Sequence, residues 1–229
     1  MSNRVKASRP SLAASMAAAG AVISLLVMPG AAGARTLPSS LADFAHCPVD
    51  VKGVATCLFS STTSTTFQIG STTVTSTSPT TLSLGLSYTK SGQAVVVLPT
   101  DGTQALQAPA IALPGGLTGL GLGGGELAVT VTPQLVGLPT ASLVNLLGAH
   151  GPGLALPIDV LVSTPSGVLG SDCTIGDATG PLVLNLTTGT TDPPGPNTPI
   201  TGSVGTLTGS ANGTLVDTGL TLVDNAFAV

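Results

Sequence analysis

The chain has 229 residues, of which six are basic and ten acidic, with four Phe, one Tyr and no Trp. So few cations exclude a basic nucleic-acid binder, which needs Lys and Arg to neutralise phosphates. They also argue against a solvated helical bundle, whose outer faces need Glu, Lys and Arg, and against a charged disordered tail. With 30 Gly, 18 Pro, abundant Thr and Ser and a mean hydropathy of +0.54, what remains is a β protein with a Thr/Ser/Gly surface.

The N-terminus carries the strongest signal. Arg4, Lys6 and Arg9 form a positive segment. Leu12 to Met28 then run without a charge, Pro29-Gly30 breaks the run, and Ala32-Gly33-Ala34 supplies small residues. This is the three-part pattern of a secretory signal. We expect a signal helix over residues 1–34, cleaved between Ala34 and Arg35, and a single secreted β domain over 35–229. A retained transmembrane anchor is the alternative, but the run is rich in small residues and ends in a cleavage motif. No Cys follows it, so a lipid-anchored form is not indicated. No second apolar run of about 18 residues occurs, so no helical membrane span is expected after cleavage. Cleavage leaves Arg35, Lys52 and Lys90 against all ten acids, a formal charge of about −7.

Residues 35–60 read as a compact segment holding Leu41, Phe44, Val49, Val51, Val54, Leu58 and Phe59. The three cysteines are Cys47, Cys57 and Cys173. Export favours disulfides. A Cys47–Cys57 bridge with Cys173 unpaired, a long-range bridge from Cys173, and a missing fourth Cys are all open. His46 beside Cys47 lacks the tight paired spacing of a zinc site. Ser60 to Thr66 is almost entirely Ser and Thr. Phe67 to Ser76 reads as a strand. Thr81 to Thr89 is the clearest one, with Leu82, Leu84, Leu86 and Tyr88 on one face and Ser83, Gly85 and Ser87 on the other. A turn at Ser91-Gly92 leads to a strand over Ala94 to Leu98, completing a hairpin.

Leu113 to Gly125 is almost entirely Gly and Leu. It contains a formal G-x-G-x-x-G at Gly119, Gly121 and Gly124, but no preceding strand or following helix supports a dinucleotide site. Leu127 to Val131 resembles a strand. Ala141 to Ala149 is the one expected helix, capped by Thr140 or Ser142, with Leu143, Leu146 and Leu147 facing inward. His150-Gly151-Pro152 ends it. Strands follow at 158–163 and 181–188. Asp192 to Pro199 is a Pro-rich connector. Strands at 200–207 and 214–223 are joined around Asn212-Gly213, a hairpin signal. Seven to nine short strands at this spacing predict an all-β fold: an antiparallel, Greek-key-like β-sandwich with long Gly/Pro/Thr-rich loops and at most one short helix.

Catalytic signals are sparse. No G-x-S-x-G elbow is present, and only His46 and His150 are available as imidazole bases. Asp101, Asp172, Asp177 and Asp192 stand in turn contexts. Asp172 and Asp177 lack a repeated calcium-loop pattern. No catalytic, metal or cofactor-binding residue is assigned. One Tyr and no Trp leave little material for sugar-stacking platforms. They also leave little for the aromatic girdles of an outer-membrane barrel.

Several segments together resemble an uncharacterised family of secreted proteins from high-GC actinobacteria. They are His46-Cys47-Pro48, Cys57-Leu58, Phe67 to Thr72, Cys173 to Gly176, Leu184 to Thr191, Pro193 to Asn197 and Leu222 to Asn225. The resemblance implies export and carries no catalytic residues. It also implies a chain running past Asn225 to a further Cys, which would account for the odd Cys173.

The functional expectation is a secreted or cell-envelope-associated, non-enzymatic protein with a structural or interaction role. Its expected partners are cell wall, lipid or protein. The alternative is a binding module for an apolar or glycan ligand near Leu113 to Gly125. A hydrolase and an outer-membrane β-barrel rank below these.

Overall fold

A computed structural model describes residues 17–27, 39–69, 72–114, 128–171, 173–195, 198–209 and 215–224. Two antiparallel sheets form an all-β sandwich. The first contains β1 (Ala17–Val27), β2 (Val54–Ile69), β3 (Thr72–Ser76), β4 (Thr80–Tyr88), β5 (Ala94–Val97), β6 (Leu106–Gln107), β13 (Ser203–Gly209) and β14 (Leu215–Thr221). Its order is β13-β14-β1-β2-β4-β5, with β3 also on β2 and β6 also on β4. The second contains β7 (Ile111–Leu113), β8 (Val129–Leu135), β9 (Thr140–Ala141), β10 (Leu154–Ser163), β11 (Thr174–Ile175) and β12 (Leu182–Leu186). Its spine is β11-β10-β8-β7, with β9 and β12 also on β10.

The period-2 pattern of β4 sets the core. Leu82, Leu84 and Leu86 point between the sheets and meet Leu58 of β2, Leu220 of β14 and Leu154, Leu156 and Ile158 of β10. Ser83 and Gly85 point the other way, yet they are buried as well. A third layer covers them: a 3-10 helix (Ser39–Phe44) and the turn after it. Phe44, Cys47 and Cys57 form a second buried cluster there, with Val54, Phe59 and Val216 packed against it. Phe44 and Phe59 meet edge to face, with centroids 6.4 Å apart. Gly85 is required at this contact. A Cβ on it would lie 2.7 Å from Cγ of Pro48.

The hairpin of β4 and β5 follows expectation, its turn using Gly92 at φ +81°. The expected helix is α1 (Leu143–Gly148). Ser142 caps it by accepting from the Asn145 amide, and Ala149 ends it in the left-handed region. Leu146 is buried, but Leu147 is 38% exposed, so the inward face is narrower than expected. The three leucines share one helix face, but only Leu146 is enclosed by the core, and Leu147 sits at the rim of a surface hollow.

Two segments differ from the sequence reading. Ser60 to Thr66 belongs to the middle of the 16-residue β2. It pairs with β1 on one edge and with β4 and β3 on the other. Backbone pairing along most of both edges offsets a weak side-chain pattern. Ala17–Val27, expected within a signal helix, is a strand between β2 and β14. An apolar run of this length carries no periodicity that separates helix from strand, and two free sheet edges decide it. The cleavage pair Ala34 and Arg35, the glycines at 119, 121 and 124, and the Asn212-Gly213 turn lie outside the described residues.

Candidate functional site

The outer layer brings together residues far apart in sequence. Cys47 and Cys57 are bonded, with Cα atoms 5.8 Å apart. Cys173 is a free, half-buried thiol. The bridge fixes the turn that presents His46. Across from it, Asp101-Gly102 makes a tight turn with Gly102 at φ +84° and the Thr103 amide donating to Asp101 Oδ1 at 2.9 Å. His46 Nδ1 lies 2.8 Å from Asp101 Oδ2 and 3.2 Å from Thr103 Oγ1. The hydrogen bond to His46, helped by the two from Thr103, lowers the Asp101 carboxyl to about 2. A carboxylate holding Nδ1 is how a histidine base is oriented. Both partners are nearly half exposed, however, and among the described residues no Ser, Thr or Cys side chain hydrogen-bonds Nε2. The arrangement orients a histidine beside the Thr103 hydroxyl.

Thr103 also lines a cleft of about 660 Å³ between the start of β4 and the end of β8. Gln104, Gln107 and Gln134 offer amides, Thr81 and Thr132 hydroxyls, and Pro79, Pro109 and Pro133 apolar walls. The lining carries no charge. A second hollow of about 460 Å³ lies between Tyr88, Gln93 and Ala94 and the helix residues Leu143, Val144 and Leu147. Around it Val144 is 75% exposed, and Tyr88 and Leu147 are also exposed. His150 stands past the end of α1, away from the His46 pair, with its ring over Gly148.

Asp177 behaves as a turn former. Its Oδ1 accepts from the Thr179 amide, the Thr179 hydroxyl and the Gly180 amide, which lower its carboxyl below the usual value. Asp172 lies outside the described residues. Among the described residues no group of three or more His, Cys, Asp and Glu could hold a metal ion.

Three acids were not singled out by sequence, because nothing local marks a buried carboxylate. Asp224 Oδ2 accepts from the Asn185 amide at 2.7 Å. Asp159 is buried in β10. Asp217 on β14 is fully buried, and neither of its oxygens has a well-formed hydrogen bond. Burial pushes its carboxyl above the usual value, the amides of Thr206 and Thr218 offsetting part of the shift. An acid whose folded-state value is raised contributes stability fully below its unfolded value and loses it as pH rises through the folded one. Asp217→Asn is therefore expected to raise Tm by a few degrees at pH 7, with the gain vanishing near pH 3. Thermal melts of both proteins across that range check it, and an equal gain at both pH values would contradict it.

The chain matches no known protein family, curated protein or solved structure.

Proposed function

We propose that the protein is exported, loses residues 1–34 after Ala34, and acts at the cell envelope or outside the cell by association rather than catalysis. The carrying observation is the uncharged, apolar surface around Tyr88, Val144 and Leu147. Exposed apolar side chains grouped beside a hollow favour contact with wall, lipid or protein partners. The Cys47–Cys57 bridge is compatible with an oxidising compartment.

The test is fractionation of an expressing host into medium, wall and membrane. The wild-type protein is expected in the wall or membrane fraction. The double variant Val144→Asp, Leu147→Ser is expected in the medium with its melting temperature within a few degrees of wild type. Wild-type protein free in the medium as a monomer would overturn the reading.

A second reading has its own observation. The cleft at Thr103 is lined by amides, hydroxyls and prolines without charge, which suits a neutral polar ligand such as a glycan. Saturation-transfer NMR with neutral oligosaccharides tests it. Loss of the signal in Gln104→Ala, Gln134→Ala is expected.

A further inference from the structure

The strand Ala17–Val27 lies inside the segment that export removes. It pairs with β2 through ten positions, from Ala17 opposite Thr66 to Val27 opposite Thr56. On its other edge it pairs with β14 at Ile23, Leu25, Leu26 and Val27. Its removal leaves two facing rows of backbone donors and acceptors one strand's width apart. Such edges recruit another strand.

The gap does not close readily, because β14 is held from elsewhere. Just beyond it, Val223 bridges Thr187, and Asp224 accepts from the Asn185 amide of β12. Leu220 is seated in the core between the sheets, and Val216 packs against the disulfide cluster. On its far side β2 is locked to β4 and β3.

One wall of the gap carries a buried acid without a well-formed hydrogen bond, its carboxylate lying against Gly205 near the amides of Thr206 and Thr218. Asp217 stands opposite the Leu25 position, and the same position faces Leu58 of β2. Asp217 and Leu58 therefore share a face with whatever residue occupies that place, since opposed residues of antiparallel strands point to one side. Asp217 is fully buried, and neither oxygen has a well-formed hydrogen bond.

We propose that the exported protein accepts a strand of another polypeptide between β2 and β14, antiparallel to β2, with a hydrogen-bond donor opposite Asp217. The occupant is an uncharged extended segment of about ten residues, interrupted by one Lys, Arg or Ser. The Ala17–Val27 segment shows the backbone path, and Leu25 is the position at which a true partner differs from it. This inference rests on the export and cleavage proposed above.

The test uses protein recovered from the medium or envelope of an expressing host, its N-terminus fixed by intact mass. Two peptides of sequence 17–27, flanked by solubilising lysines, serve as probes: one native, one with Leu25→Lys. Binding is read by fluorescence anisotropy and by hydrogen exchange in β2 and β14. The Lys peptide is expected to bind at least about tenfold tighter than the native one, as a charge-assisted hydrogen bond to a buried group requires. Protection of 56–66 and 215–220 should rise on binding. The preference should vanish in Asp217→Asn, whose fold the native peptide's own affinity reports. Equal binding of both peptides, no binding, or amides already protected in a self-associated form would each overturn the proposal while leaving export intact. An intact mass that retains residues 17–27 would overturn the cleavage reading and the proposal with it.

Discussion

Leu84→Ala is expected to lower the free energy of unfolding by about 3–5 kcal/mol, the largest loss of any single substitution considered. Leu84 is 0% exposed at the centre of β4, packed against both sheets. Truncation removes the transfer energy of the lost carbons and leaves a hole that strands paired on both edges cannot collapse into. The total stability of such a domain is about 5–15 kcal/mol, so the variant stands near the limit of folding. Denaturant unfolding should show a lower midpoint with an unchanged slope. Val144→Ala, at an exposed helix position, should stay within about 0.5 kcal/mol of wild type. A Leu84→Ala loss below about 1.5 kcal/mol would mean that the two sheets do not share this core.

The second large effect is loss of the Cys47–Cys57 bridge. The residues are separated by ten positions, and a loop of that size restricts the unfolded chain by about 3 kcal/mol. Cys47→Ala, Cys57→Ala is expected to cost this much. The cost extends to packing, because both cysteines are buried in the cluster that covers Ser83 and Gly85. Unfolding with and without reductant measures it on the wild type, and the double variant should be insensitive to reductant. Thiol titration of the denatured, unreduced chain should find the one thiol of Cys173. Three thiols would refute the bridge.

Parts of this structure are written locally, and those parts were legible. The alternation from Leu82 to Tyr88 is carried by seven residues in a row, and a glycine turn follows within reach. The helix after Ser142 announces itself by its cap. The second half of β10 and the whole of β12 alternate in the same way. What could not be read is set by distant partners. Ser60 to Thr66 contains no apolar alternation, and its strand character comes from neighbours on both edges. Ala17–Val27 satisfies the pattern of an export signal and that of a buried strand equally, because both demand an uncharged apolar run. The alternation puts Ser83 and Gly85 opposite the leucine face; the outer layer that buries them depends on Pro48, some forty positions earlier. At the candidate site, Asp101 was read correctly as a turn residue. Its second role, holding His46, arises only in space, across 55 residues of chain. Asp217 has no local marker at all. Its environment is made by Gly205, where an added Cβ would collide with the Asp217 carboxylate.

The position of the C-terminal strand also governs time. Leu220 and Leu222 complete the core between the sheets, and Val223 and Asp224 tie the first sheet to the second. None of these can engage until synthesis has reached residues 220–224. At about 5–20 residues per second, synthesis takes on the order of ten to forty seconds, during which the earlier hairpins wait with one side of the core unsealed. A chain in that condition is exposed to pairing with its neighbours. Long stretches of Ser, Thr and Gly between the leucines lower the apolar content of any five-to-seven-residue window and so slow that misassembly. The sparse, hydroxyl-rich surface is thus suited to the nascent chain as much as to the finished one.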